Sequence, residues 1–300
     1  WFRFWTQVGL AFEMLLHPVD VLFVPAHTVP WIHPKRTFVT VHGLEYEMMP
    51  KAYSFWARCY MRWSIRNSCR WAEKIISVSE NTKKDLMGLY QVPEEKIRVV
   101  YEGYEKNSKI QISNAKPNPN NQILKPYLLF IGRLEERKNI IGIIEAFEIL
   151  KEKYGILHKL VLAGRPGYGY EGIEFRISNS EFRKDIVMPG FVKDEDKFGL
   201  IAGADVFMFP TFYEGFGIPI LEAQSVGVPV VTSKTSSMPE VAGDSAVIVD
   251  PKDAQKIAEG AWRLISDKAF RDDMIAKGNE NVKRFSWEEC AHKIAGILVR

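Results

Sequence analysis

Short runs of aliphatic and aromatic residues alternate with stretches whose apolar positions recur at helical spacing almost throughout the 300-residue chain. The short runs are bounded by turn-forming residues and read as buried strands, so the alternation predicts an α/β protein with parallel sheets. In the first part, strands are expected at 19–24, 37–41, 75–78 and 97–100, with a long helix over 53–74 between the second and third. Residues 106–126 are polar and rich in Asn and Pro, as a linker is. A second series follows, with strands expected at 127–131, 159–163, 186–188, 206–209, 228–232 and 246–249. Helices are expected over 139–153, 197–202, 218–226, 253–265 and 287–299. The chain thus divides into a first domain at 1–108, a linker at 109–126 and a doubly wound domain at 127–284. The segment 285–300 has no strand after it and carries apolar Ile294, Ile297 and Leu298, so it is expected to pack back on the first domain.

Composition narrows the class. A hydrophobic content of 46% over 300 residues supports two cores of ordinary size. A charged fraction of 26% and a net charge of +3 exclude a disordered tail and a dedicated nucleic-acid binder. Cys59, Cys69 and Cys290 are odd in number and show no CxxC spacing, which argues against a disulfide framework or zinc site and for a reducing cytoplasm. No run of about 18 apolar residues occurs, so no membrane-spanning helix is expected. The chain opens at Trp1 inside a helical pattern, and upstream sequence is therefore expected. Residues 1–120 hold 16 Lys and Arg against 11 Asp and Glu, whereas 121–300 hold 24 against 26. The first part is accordingly the face for an anionic partner.

Doubly wound folds bind ligands beyond the carboxyl ends of their strands, so the residues just after each strand carry the most weight. The strand at 206–209 runs into Pro210-Thr211-Phe212-Tyr213-Glu214-Gly215-Phe216-Gly217-Ile218-Pro219-Ile220-Leu221-Glu222. Pro219 suits a first helical turn, and Gly215 and Gly217 let the backbone approach a ligand closely. The N–H groups of Phe216, Gly217 and Ile218 then lie at the positive end of a helix, which favours phosphate or sugar oxygens. Glu214 on the loop and Glu222 one turn inside the helix can face one crevice, where two carboxylates accept hydrogen bonds from a polyhydroxylated ligand. An ordinary strand–turn–helix with a capping Glu has the same local pattern. The strand at 127–131 adds a second element, Gly132-Arg133-Leu134-Glu135-Glu136-Arg137-Lys138-Asn139, ahead of an apolar helix. Arg133 and Lys138 stand there placed to clamp a diphosphate, although the run taken alone also reads as a solvated basic loop, as Arg137 does.

Residues 127–290 resemble the C-terminal domain of the family-4 retaining glycosyltransferases of GT-B fold, and within them the bacterial mannosyltransferase-like members. The matching runs are YLLFIGRLEERKN, LVLAG, VMPGFV, FPTFYEGFGIPILEAQSVGVPVV, SSMPEVAGDSAVIVDP and FSWEECA, with Glu214 and Glu222 as the Glu-x7-Glu signature. A looser likeness continues through VDVLFVPAH, TVHGLEYEMMP and IISVSENTKKDL. The resemblance implies two Rossmann-like doubly wound domains facing a cleft, the first of them N-terminally incomplete. It implies transfer of a hexose, mannose from GDP-mannose or glucose from UDP-glucose, to a glycan or lipid-linked acceptor. Arg133 and Lys138 would neutralise the leaving diphosphate, Glu222 would hold the ribose, and Glu214 the transferred sugar. Gly132, Gly190 and Phe191 would edge the donor, with Gly190 and Phe191 at the base, and the amides of Phe216, Gly217 and Ile218 would meet sugar and phosphate. His42 would face the donor sugar across the cleft. Retention would follow a front-face route, and neither metal nor cofactor is expected because the basic pair plays the metal's electrostatic part. Two departures stand out: the family's first strand with its Gly-rich loop is absent, and the Asp usual after the first-domain histidine is Gly43.

Other patterns compete with this reading. Gly167-Tyr168-Gly169-Tyr170-Glu171-Gly172 fits a dinucleotide fingerprint, but the next strand runs into Pro189 and Gly190 with no carboxylate for a ribose. Asp194-Glu195-Asp196 mimics a metal motif and is expected to cap the helix that follows. Ser79-Glu80-Asn81-Thr82 likewise reads as a helix start. His27 and His33 lie in the loop after the first strand, and their spacing to His42 matches no zinc motif; His33 reads as structural, and so does His27, with a place in the cleft as its alternative. Arg58, Arg62, Arg66, Arg70 and Lys74 recur every four residues beside Phe55, Trp56, Tyr60, Trp63 and Trp71. That stripe is either a solvated face or an attachment to anionic lipid head groups on the inner face of the membrane. Alternatives to the transferase are a GT-B relative with other chemistry, such as an epimerase or a phosphorylase, and a non-catalytic nucleotide-sugar-binding protein.

Overall fold

The computed structural model describes residues 5–105 and 126–299. The chain divides into two compact units, one of Trp1–Gly103 with Ser286–Arg300 and one of Tyr104–Phe285. This break precedes the expected boundary at 108, and the expected linker lies outside the described residues except for Pro126.

In the first unit four parallel strands run β1 (Val21–Val24), β2 (Arg36–Val41), β3 (Lys74–Ser77) and β4 (Ile97–Val99), in that spatial order. Helices α1 (Leu10–Leu16), α2 (Glu45–Met48), α3 (Phe55–Trp71) and α4 (Glu80–Tyr90) connect or flank them. Helix α3 starts where Ser54 Oγ accepts a hydrogen bond from the Ala57 amide (3.3 Å), and α4 where Ser79 Oγ accepts one from Thr82 (3.0 Å). These hydroxyls satisfy amides that a first helical turn leaves unpaired. Strand side chains alternate between faces. Val39, Val41 and Ile75 pack with Ile65 and Cys69 of α3 and Leu86 of α4, whereas Ile76 points to the opposite face.

The second unit holds β5 (Tyr127–Ile131), β6 (Lys159–Ala163), β7 (Ile186–Gly190), β8 (Val206–Phe209), β9 (Val230–Ser233) and β10 (Val247–Val249). All are parallel, and their spatial order is β10-β9-β8-β5-β6-β7. Helices α5 (Ile140–Tyr154), α6 (Tyr170–Ser178), α7 (Asp194–Ala202), α8 (Ile218–Ser225), α9 (Met238–Ala242), α10 (Ala254–Ser266) and α11 (Lys268–Asn281) follow the strands. Helices α6, α9 and α11 are additional to the expected set. Gly169, at φ 77°, starts α6 and Gly172 lies within it, so the fingerprint-like glycines serve a turn and a helix.

The last helix, α12 (Trp287–Val299), belongs to the first unit. Its Cys290, Ile294 and Ile297 cover Ile76, Val100 and Phe23 on the face of the first sheet away from α3. The Arg36 guanidinium donates to the Leu298 carbonyl (2.7 Å) and fixes its far end. Among the described residues no helix is long and apolar enough to cross a membrane.

Candidate active site

Strand order in the second unit reverses between β5 and β8: β6 and β7 lie on one side, β9 and β10 on the other. Loops leaving the carboxyl ends of β5 and β8 therefore diverge and open a crevice, the position where doubly wound sheets bind ligands. The residues after β5 are Gly132–Asn139, and those after β8 are Pro210–Gly217.

The β5 loop is laid against the loop after β6. Leu134 N–H donates to Arg165 O (2.9 Å), Gly167 N–H to Leu134 O (2.9 Å) and Glu136 N–H to Tyr168 O (2.9 Å). This approach needs glycine, because a Cβ on Gly164, at φ 151°, would stand 1.7 Å from the Gly132 carbonyl oxygen. Arg133 is exposed and forms no ion pair among the described residues, and its stem lies against Gly167. Asn139 ends the loop in the left-handed region, at φ 58° and ψ 38°. Its Nδ2 donates to the carbonyls of Pro210 (3.0 Å) and Pro251 (2.6 Å), stapling three loops together.

Lys138 and Glu214 meet across this crevice. Lys138 Nζ lies 2.5 Å from Glu214 Oε1, and Arg137 Nη1 lies 3.0 Å from Glu214 Oε2. Arg137 also donates to the Tyr213 carbonyl (2.7 Å) and to Glu135 (2.8 Å). It is mostly buried, which corrects its reading as a solvated basic residue: its guanidinium has enough acceptors around it to leave water. The loop of Glu214 is held from behind by residues after β9. Ser236 and Ser237 hydroxyls donate to the Glu214 carbonyl, and Ser237 also reaches the Phe216 carbonyl (2.5 Å). Consecutive serines in SSMPE gave no spacing rule from which this buttress could be read.

Gly217, at φ 124°, precedes α8 with Pro219 in the first turn. The amides of Gly217 and Ile218 carry no hydrogen bond among the described residues. Glu222, inside α8, is buried and its carboxylate is bonded by the Lys197 ammonium from α7. Burial pushes the Glu222 pKa up, and the Lys197 hydrogen bond opposes that push. Lys197 carried no signal in the sequence, since the pairing depends on α7 packing against α8. Asp194, Glu195 and Asp196 occupy the first turn of α7, behind Lys193 at the cap position and with no side-chain cap bond. Their contribution is therefore to the helix dipole and not to capping, which corrects that expectation. Gly190, at φ 77°, ends β7, and the adjacent Phe191 ring is exposed with the Arg165 guanidinium 4.3 Å from its centroid.

In the first unit, His42 follows β2. Its Nδ1 lies 2.8 Å from Glu102 Oε1 and its Nε2 2.8 Å from the Pro25 carbonyl oxygen. The Glu102 hydrogen bond raises the His42 pKa. His27 packs edge-on, 5.3 Å between ring centroids, and its pKa falls to about 4 through burial and the His42 charge. His33 bonds instead to the Pro34 carbonyl (3.0 Å) and lies 5.7 Å from the Trp71 ring, apart from this group. Along α3, Arg62, Arg66 and Arg70 are exposed, with Arg62 paired to Glu47. Arg58 departs from the expected stripe: it is half-buried, and its Nε has no hydrogen-bond partner among the described residues.

The chain's sequence matches two family models, "Glycosyl transferases group 1" over residues 111–281 and "Glycosyltransferase Family 4" over residues 1–107. It is 33% identical over 260 residues to O-antigen chain mannosyltransferase B of Escherichia coli, covering 85% of this chain and 68% of that relative. Its fold superposes on WaaG, a glycosyltransferase involved in lipopolysaccharide biosynthesis, with a TM-score of 0.75 at 18% identity, over 96% of this chain and 80% of the other. It also matches Anabaena HepE, solved in complex with UDP and glucose, with a TM-score of 0.73 at 19% identity, over 88% and 71% of the two chains. The two parallel α/β sheets are those of the GT-B fold. With its Glu214–Glu222 pair and Arg133–Lys138 loop set at the switch point of the second sheet, the chain belongs to the group 1, family-4 glycosyltransferases.

Proposed function

We propose that this glycosyltransferase is retaining and metal-independent, and that it moves a hexose from a nucleotide sugar to a glycan or lipid-linked acceptor. The observation that carries the reading is Arg133: an exposed guanidinium without an ion pair among the described residues, on the same switch-point loop as Lys138 of the Lys138–Glu214 pair. A donor diphosphate is an anion that this guanidinium can pair with. Arg133 and Lys138 face its oxygens, and the amides of Gly217 and Ile218 add the positive end of α8. Glu222 accepts hydrogen bonds from the ribose, Glu214 from the transferred sugar, and Gly190 with Phe191 edges the base. As the bond from the anomeric carbon to the leaving phosphate oxygen breaks, negative charge grows on the diphosphate, where fixed cations lower the barrier. The acceptor oxygen attacks from the same face, and its proton passes to the leaving phosphate oxygen. The cations take the electrostatic part that a divalent ion takes elsewhere.

Mannose from GDP-mannose is the first candidate donor, because the E. coli relative is a mannosyltransferase. UDP-glucose is the second, because HepE was solved with UDP and glucose. A panel of nucleotide sugars, read by release of nucleoside diphosphate, tests the activity and ranks the two. No release from any donor would leave a binding protein. The first unit supports a peripheral membrane role on the cytoplasmic side. Arg62, Arg66, Arg70 and Lys96 line a groove of about 780 Å³, and Phe55 and Trp56 stand exposed at the start of α3. Co-sedimentation with vesicles containing anionic lipid, but not with neutral ones, is the expected result.

A further inference from the structure

We propose that Glu102 is a positioning residue that fixes His42 as an imidazolium, supplying from the end of β4 the carboxylate that Gly43 cannot. Both ring nitrogens of His42 lie 2.8 Å from an oxygen, Nδ1 from Glu102 Oε1 and Nε2 from the Pro25 carbonyl. With Glu102 ionised, its carboxylate and the Pro25 carbonyl only accept, so both nitrogens donate, and a histidine with two N–H groups is a cation. A neutral ring would leave one nitrogen lone pair facing an oxygen lone pair. Glu102 also balances the charge, since its side chain is mostly buried against the ring.

The surroundings place the positive charge on His42 alone. His27, edge-on at 5.3 Å, is the second imidazole of the group, and its Nδ1 is buried without a hydrogen-bond partner among the described residues. Burial and the neighbouring cation hold it neutral. Glu45 of α2 adds a favourable charge to His42. Beneath the pair, Phe23, Ile76, Val100 and the α12 residue Cys290 line an apolar cavity of about 220 Å³. The raised His42 pKa agrees with this geometry. An imidazolium cannot act as a base; its Nε2–H is a donor, able to exchange the Pro25 carbonyl for a sugar hydroxyl oxygen. That consequence for rate rests on the reading of His42 as a group that meets the donor, whereas the charge assignment does not.

The test is a histidine NMR titration of the full chain, with the His42 resonance assigned by His42→Ala. Expected is a His42 midpoint above the ordinary value in the wild type. In Glu102→Gln it falls back to the ordinary imidazole range or below it, and in Glu102→Asp it stays raised. Transfer by Glu102→Gln should then drop about tenfold between pH 6 and pH 7.5, as an imidazole of ordinary pKa loses its charge, while wild type and Glu102→Asp fall less. A His42 that titrates alike in wild type and Glu102→Gln, or is neutral in the wild type at pH 7, overturns the proposal. A midpoint that moves with no change in the pH–rate profile supports the charge assignment and overturns the reading that His42 meets the donor. Glu102→Asp keeps the test decisive if Glu102→Gln fails to fold.

Discussion

Replacing Glu214 by Gln keeps the side chain's shape and removes its charge from between two cations. Arg137 lies 3.0 Å and Lys138 2.5 Å from the carboxylate, and all three side chains are less than one-fifth exposed. Removing one member of a buried ion pair costs about 3–5 kcal/mol, because the partners stay buried without compensation. Arg137 retains Glu135, so the lower end of that range applies, about 3 kcal/mol. For a unit of this size the midpoint of thermal unfolding should fall by about 6–12 °C. Lys138→Met alone should also destabilise. The double variant should be less unstable than the sum of the two, by at least about 1 kcal/mol, because one change removes the charge that the other strands. Urea unfolding of the four proteins measures the cycle. Turnover of Glu214→Gln should fall on the order of a hundredfold, with nucleoside diphosphate affinity nearly unchanged. A Glu214→Gln protein as stable as wild type, or additive effects of the two changes, would refute the argument that this cluster is energetically coupled.

Three further outcomes follow from the same geometry. Lys197→Met removes the group that opposes the upward shift of the Glu222 pKa, so the carboxyl protonates at higher pH. Nucleoside diphosphate affinity of this variant should therefore weaken as pH falls, with the gap to wild type closing as pH rises; a pH-independent gap in calorimetry contradicts this. Gly164→Ala places a Cβ 1.7 Å from the Gly132 carbonyl oxygen at φ 151° and should cost more than about 3 kcal/mol in urea unfolding. Chelator should leave transfer unchanged, whereas a requirement for magnesium or manganese would overturn the cationic account of leaving-group stabilisation.

How much of this was legible in the sequence depended on the length scale of each interaction. Strands 127–131, 159–163 and 206–209 were readable to the residue, because a fully buried strand is apolar on both faces. Helix α11 was not, because KAFRDDMIAKGNEN is polar and buries only Met274, Gly278 and Asn281. Glu214, Glu222, Arg133 and Lys138 could be named because each follows a strand end in a recognisable run. Their partners could not. Arg137 gained burial from Glu135 and Glu214, Lys197 reached Glu222 from another helix, and Glu102 lies 60 residues from His42. Such pairs follow from strand order and helix packing, which fix distances that spacing along the chain does not contain. Gly43 was legible as a missing carboxylate, but the residue positioned to replace it was visible only once β2 and β4 were set in one sheet.

The proposed nucleoside diphosphate site lies at the switch point between β5 and β8, with Arg133 as its uncommitted cation. Calorimetry with GDP and UDP on the wild type and Arg133→Ala tests it most directly, since Arg133 makes no ion pair among the described residues whose loss would confuse the result. A charge-assisted hydrogen bond is worth about 1.5–3 kcal/mol, so Arg133→Ala should bind the preferred diphosphate about 10- to 150-fold more weakly at unchanged stability. Equal affinity in the two proteins, or no binding of either diphosphate by the wild type, would contradict it.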